Sequence, residues 1–319
     1  MVARMFVLIL ACSSAFSVAG VVAGDSIAYG AIKGELSVDD DARVYKPVDV
    51  AWDTAGLAYL LCEGSCSVLV VDNNFEVVRE IGRCGDGPGE LENAATVEIA
   101  GERLFVFQGH RVDVFALSGA FLTREVLGKQ VDDTTVVDGR VIGTTKDGKN
   151  QLLYFDAGGN AIVEFGPTCD ADEWDERYLK CGTMTLLNDD NQIILLDPVL
   201  ATVRWSEGDE WVDRSLGLNS GGTWREGSAV HKSFAINTAC AAPGKNRLLM
   251  LYMERRDDKH VALGVVNNDW KIVKIGETTE SIRKIAISPA GDLWLLLWSS
   301  EVKVYDNLAI PCASSALGR

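Results

Sequence analysis

Basic residues are scarce in this chain. Lys+Arg is 30 against Asp+Glu 46, a formal net charge of −16 over 319 residues. Such a surface repels nucleic acid and anionic membranes at long range, so neither is expected as a partner. Beyond the first two dozen residues, no stretch approaches the ~20 apolar residues that a membrane helix needs. Sustained helical periodicity is absent too, which leaves an all-β chain. The common catalytic motifs are missing: there is no G-x-S-x-G elbow, no H-E-x-x-H and no Walker or dinucleotide glycine pattern. What remains is 47% hydrophobic and 24% charged, an ordinary globular composition with enough chain for a large core.

The N-terminus has the form of a secretory signal. Arg4 supplies the positive start, Met5 to Leu10 is apolar, and small residues at Ala19 and Gly24 suit cleavage. Residues 1–24 are expected to leave, and 25–319 to form one domain in a secreted or periplasmic, monomeric protein. The alternative is a lipid anchor at Cys12, within Ile9-Leu10-Ala11-Cys12. Under the first reading seven cysteines remain, an odd number, in a compartment that permits disulfides. Cys62 and Cys66 lie across a tight hairpin, and Cys169 and Cys181 bracket one loop, so these four are the disulfide candidates. Zinc is disfavoured, because only Cys62 and Cys66 have C-x₂₋₄-C spacing and no second pair accompanies them.

From Asp25 on, short β runs alternate with Gly, Asn and Asp turns. One internal match is clear. The thirteen residues from Asp49 to Leu61 align without gaps on Lys284 to Leu296, pairing Ala51 with Ala286, Gly56 with Gly291 and Tyr59 with Trp294. The offset of 235 positions is five steps of 47, which implies six copies. Weaker copies begin near Val97, Val136, Met184 and Ala235, and five copies end in an apolar residue plus Gly. Each copy holds four strands, one blade of a β-propeller. The sixth lacks its outer strand, which Ser26 to Ile32 is expected to supply, closing the ring and covering an edge.

Between the first two copies runs Ile81-Gly82-Arg83-Cys84-Gly85-Asp86-Gly87-Pro88-Gly89-Glu90-Leu91. Its glycines and proline break any strand or helix. This stretch resembles the Gly-rich Pro-Gly-Glu link of NHL-type six-bladed β-propellers, including exported bacterial ones. The resemblance implies six four-stranded antiparallel blades and says nothing of activity. Cys84 stands where a polar or basic residue is expected, and the other five links lack the Pro-Gly-Glu form.

In such a ring, the links and the turns between second and third strands share one face, where ligands commonly meet loops on a rigid scaffold. The candidates there are His110, Arg111, Trp174, Trp224, His231, Arg255 and His260. The three histidines could form a metal or acid/base cluster, and Asp170 to Glu176 is an acidic loop that could take Ca²⁺ but lacks the EF-hand pattern. Trp52, Trp205, Trp211, Trp270, Trp294 and Trp298 lie in or beside strands and read as packing residues. No catalytic set and no cofactor emerge, although Glu98 and Asn237 fall on inner strands. The expectation is therefore a non-catalytic envelope or extracellular module that binds a protein, peptide or glycan. The alternative is a Ca²⁺-dependent propeller hydrolase or lyase, similar to the lactonases, with a site in the central channel. A third possibility, a structural module of an envelope complex, requires an apolar patch on the side of the ring.

Overall fold

The computed structural model describes residues 31–145, 150–168, 185–189, 192–207, 210–218, 223–226, 229–232, 236–241, 248–252, 261–266 and 270–306. The expected signal and lipid-anchor site, and Cys169, Trp174, Cys181, Arg255 and His260, lie outside these residues.

After β1 (Ile32–Ser37), blade 1 is formed by β2 (Pro47–Trp52), β3 (Ala58–Cys62), β4 (Ser67–Val71) and β5 (Val77–Ile81). Blade 2 holds β6 (Thr96–Ala100), β7 (Arg103–Gln108), β8 (Arg111–Ala116) and β9 (Phe121–Val126). Blade 3 holds β10 (Thr134–Val137), β11 (Arg140–Thr144), β12 (Asn150–Phe155) and β13 (Ala161–Thr168). Blade 4 holds β14 (Thr185–Asp189), β15 (Gln192–Asp197), β16 (Thr202–Glu207) and β17 (Glu210–Ser215). A separate hairpin of β18 (Thr223–Glu226) and β19 (Ala229–Lys232) follows. Blade 5 holds β20 (Ile236–Ala241), β21 (Leu248–Tyr252), β22 (Val261–Val266) and β23 (Ile272–Thr278). Blade 6 holds β24 (Ile282–Ile287), β25 (Leu293–Leu297) and β26 (Glu301–Tyr305), with β1 antiparallel to β26 as its fourth strand. The expected outer strand was Ser26 to Ile32; the observed one begins at Ile32 and continues to Ser37.

The fold is thus the six-bladed, all-β ring. Among the described residues its core is a set of six apolar clusters between consecutive blades. One joins blade 1 to blade 2 through Tyr59, Leu61, Val97 and Val106, and another joins blade 6 to blade 1 through Leu60, Leu69, Trp294 and Val302. Successive side chains of a strand point to opposite faces. Tyr59 and Leu61 therefore serve one neighbour while Leu60 serves the other. Middle strands sandwiched in this way are mostly apolar, and every residue of β3 and β4 is buried. Outer strands face water on both sides and carry charge, as in Arg79-Glu80 of β5.

The link between blades 1 and 2 is held by its own polar groups. Glu90 accepts hydrogen bonds from Gly87 N (2.8 Å) and Arg83 Nε (2.9 Å), which hold its carboxyl below the usual carboxylate range. Gly85 has φ +147°, and a Cβ there would collide with the Glu90 carboxylate, so glycine is required. From blade 2, Arg124 donates to the carbonyls of Asp86 and Glu90 while pairing with buried Asp113 at 2.5 and 2.6 Å.

The disulfide differs from the expected pairing. Cys66 bonds to Cys84 of the link, not to Cys62. Cys62 packs in the blade 6–blade 1 cluster and Cys66 against the blade 1–blade 2 cluster, so the two thiols lie on opposite faces of one sheet. Cys62 remains a free, buried thiol, pushed up to about 12 by burial and hence inert. The bridge closes a loop of 18 positions, worth about 3 kcal/mol by loop entropy. Non-reducing digestion and mass spectrometry should find the Cys66–Cys84 cross-link unchanged in Cys62→Ser. Cys84→Ser should lower the melting temperature by several degrees; a Cys62–Cys66 cross-link would refute this assignment.

Candidate functional site

Two places bring polar chemistry together: the mouth of the central channel, and the face carrying the links. Both arise from the repeat. The first strand of each blade lines the channel and has one edge without a β partner, whose N–H groups need acceptors. Blades 1, 5 and 6 share a device. A register shift falls just before Asp49, Thr238 and Lys284 in β2, β20 and β24, a bulge that re-aims the following side chain. Asp49 pairs with Leu61 across its sheet and Lys284 with Leu296, so the two occupy the same place in blades 1 and 6.

The acceptors come from the neighbouring blade. Asp49 Oδ2 accepts from Val97 N of blade 2 (3.0 Å), and Thr238 Oγ1 accepts from Ile285 N of blade 6 (3.3 Å). Thr96 Oγ1 donates to Asp49 Oδ2 (2.7 Å) and lies 2.8 Å from Thr134 Oγ1 of blade 3. Lys284 Nζ stands 2.5 Å from Asp49 Oδ1 and 3.8 Å from Asp133 Oδ1. A belt of single side chains therefore ties blades 6, 1, 2 and 3 around the axis. The carboxylates of Asp49 and Asp133 raise the Lys284 ammonium above its ordinary range against the opposing effect of desolvation, so it stays charged.

Two residues further along β6 than Thr96 lies Glu98. The residue is half-buried, yet protein encloses its carboxyl, and desolvation pushes that group up to about 8, with the charge of Asp49 adding to the rise. Thr134 Oγ1, 3.5 Å away, and Lys284 oppose this only in part. The chemistry of this set is that of a fixed internal cation. An ammonium sits where Asp49 and Asp133 converge, and among the described residues no group of three or more His, Cys, Asp and Glu side chains is arranged to hold a metal. The inner-strand candidate Glu98 thus belongs to the belt; the side chain of Asn237 is exposed.

On the link face, His110 and Arg111 come together at the β7–β8 turn. They line a cleft of about 590 Å³ with Glu92, Gln108, Val126 and Asp132. Arg111 pairs with Asp86 of the link and donates from Nη2 to Gln108 Oε1 (3.0 Å); His110 is exposed. Trp224 is opposite His231 in the backbone register of β18 and β19, which follow blade 4 in the chain. His110 belongs to blade 2 and His231 to the hairpin that follows blade 4 in the chain, while Trp174, Arg255 and His260 lie outside the described residues.

A second set on this face was not anticipated. Trp298, expected to pack, is 61% exposed at the turn after β25, whereas Trp205, Trp270 and Trp294 are buried as expected. Its backbone N–H donates to Ser281 O (3.0 Å), and the Arg283 guanidinium lies 4.7 Å from its ring centroid. Arg283 Nη2 in turn donates to Glu63 Oε2 (2.9 Å), in the β3–β4 turn. Gly64, beside Glu63, packs against Tyr45 so closely that no side chain would fit, and Gly64 N donates to Tyr45 O (3.0 Å). Tyr45 is 46% exposed. Lys46 N donates to Ser300 Oγ (3.1 Å), which joins the two ends of the patch. Two exposed aromatics thus flank an Arg–Glu pair above the junction of blades 6 and 1, and the Cys66–Cys84 bridge anchors the turn that carries Glu63.

No protein-family model and no curated protein match the chain. Solved structures of similar fold do. A streptogramin B lyase aligns with TM-score 0.55 at 11% identity, over 88% of this chain and 99% of that one. A catalytically inactive variant of virginiamycin B lyase from Staphylococcus aureus, with quinupristin, aligns with TM-score 0.57 at 9% identity, over 85% and 98%. A candidate exported protein from Bacteroides fragilis aligns with TM-score 0.58 at 11% identity, over 86% of each chain. At these identities the likeness extends to the propeller fold alone.

Glu98 gives the belt a pH dependence with a definite sign. Its folded-state carboxyl titrates near 8 against an ordinary 4.5, so the folded state holds a proton that the unfolded state releases between those values. Stability from this group is present below about pH 4.5 and falls as pH rises toward 8. Thermal melts of the wild type and Glu98→Gln should therefore diverge from pH 5 to pH 8, the variant gaining relative stability. Parallel pH profiles would show that Glu98 titrates normally.

Proposed function

We propose that this chain is a secreted or periplasmic, non-catalytic binding module of the NHL-like propeller type. Its link face is the binding surface. The observation that carries the reading is the exposed Trp298–Arg283–Glu63 arrangement, continued by Tyr45, at the junction of blades 6 and 1. Exposed aromatic and Arg side chains are what binding surfaces favour. Here they are held by backbone bonds, a disulfide-anchored turn and an ion pair, so little ordering is needed on binding. Export is supported by the Cys66–Cys84 disulfide, a bond that oxidising compartments favour. The alternative of a Ca²⁺-dependent hydrolase or lyase requires convergent oxygen ligands in the channel, where Lys284 already answers Asp49 and Asp133.

A structural role in an envelope assembly is the second reading. It rests on Leu122, Val126, Ile162 and Val163, exposed at 47%, 82%, 56% and 50% on the outer strands of blades 2 and 3.

One panel separates these readings. The purified protein is screened against displayed peptide libraries, a glycan array and chromogenic esters and lactones with and without Ca²⁺. Binding lost at least tenfold in Trp298→Ala/Tyr45→Ala, with the melting temperature unchanged, is the expected result. Turnover that needs Ca²⁺ would replace it with the enzyme reading. Binding that survives this variant but fails in Leu122→Glu/Ile162→Glu would move the interaction to the rim.

A further inference from the structure

We infer that the ligand of the blade 6–blade 1 patch is a neutral saccharide, stacked on the open side of the Trp298 indole and hydrogen-bonded by Glu63 and Arg283. This deepens the binding-module reading and rests on it. Arg283 covers Trp298 at 4.7 Å from the ring centroid, and the indole is still 61% exposed, so a flat apolar surface faces solvent. The C–H face of a pyranose matches such a surface. Stacking on an aromatic ring is tolerant of sequence but demands a flat partner with an apolar side.

The polar requirement is equally specific. A guanidinium offers five N–H donors and a carboxylate about four acceptor positions. The bond between Arg283 Nη2 and Glu63 Oε2 uses one of each, and the two side chains remain 23% and 32% exposed. Donors and acceptors therefore stand side by side at the rim of the platform. Vicinal hydroxyls, which both donate and accept, answer that arrangement without disturbing the ion pair. An anionic ligand would have to compete with Glu63 for Arg283 and approach a protein of net charge −16. A cation would meet Arg283 already on the indole and Lys46 nearby, whose ammonium lies 5.7 Å from the Tyr45 ring centroid. An extended peptide lacks its usual handhold at the patch, since β3, β4, β25 and β26, whose turns carry Glu63 and Trp298, are each paired on both edges.

The test is a glycan array of neutral and anionic oligosaccharides, followed by calorimetric titration of the best neutral oligomer into the purified wild type, Trp298→Ala, Glu63→Gln and Arg140→Ala, the last an exposed residue at the β10–β11 turn, away from the link face. Expected is saturable binding of neutral glycans, a loss of at least tenfold in Trp298→Ala and a smaller loss in Glu63→Gln. Arg140→Ala and all melting temperatures should match the wild type. Trp298-dependent capture of a displayed peptide with no glycan binding would overturn the saccharide inference and leave the binding face standing. Glycan binding confined to anionic members, or unaffected by Trp298→Ala, would overturn it as well. If neither glycan nor peptide depends on Trp298, the binding-face reading falls with it.

Discussion

The ion pair between Asp49 and Lys284 joins the first complete blade to the last. A propeller whose blades are packed only through apolar clusters can slide or open, because apolar contact is non-directional. Directional bonds at the axis remove that freedom. Asp49 is the hub: one carboxylate takes the Lys284 ammonium, the Thr96 hydroxyl and the Val97 N–H, drawing on blades 6 and 2 from blade 1. Its side chain is only 4% exposed, so these partners take the place of water around its oxygens. The link-face patch sits on the same junction: Glu63 comes from blade 1, and Arg283 and Trp298 from blade 6. Arg283 is the residue before Lys284 and lies in the register shift between Ile282 and Lys284. The geometry of the surface is therefore coupled to the closure of the ring.

This arrangement shows how the carboxylates at the axis of so acidic a chain are balanced by a cation of the protein itself. Asp49 and Asp133 converge near the axis and need a cation. Lysine supplies one that is covalently attached, and Glu98, held largely neutral by desolvation, adds no further negative charge at mildly acidic pH. The same economy appears in the first link, where Glu90 satisfies Gly87 and Arg83 and Arg124 satisfies the link carbonyls.

Much of the architecture was legible from the repeat. The match of Asp49–Leu61 to Lys284–Leu296 located the inner and second strands of the first and last blades, and its spacing counted the blades. The same alignment set Asp49 against Lys284, a charge complement that was the available signal for the belt. Nothing in one sequence states that equivalent positions of different blades meet at an axis; the bulges before them decide it. The disulfide was misread because proximity in sequence does not report which face of a sheet a side chain takes. Cys62 and Cys66 are four residues apart and face opposite clusters, while the odd residue in the link pattern, Cys84, was the true partner. Trp298 was read as packing because it follows an apolar strand. The signal against that reading was the Ser299-Ser300 turn directly after it, which places the indole at the end of the strand, beyond the reach of the neighbouring blade.

A double-mutant cycle on Asp49→Asn and Lys284→Met, read by denaturant unfolding, tests the closing pair most directly. A coupling energy of about 1–3 kcal/mol is expected for groups in contact at a buried site, with Lys284→Met alone the more damaging because it leaves two carboxylates unanswered. Additive losses, within about 0.3 kcal/mol, would mean that apolar packing alone joins blades 6 and 1.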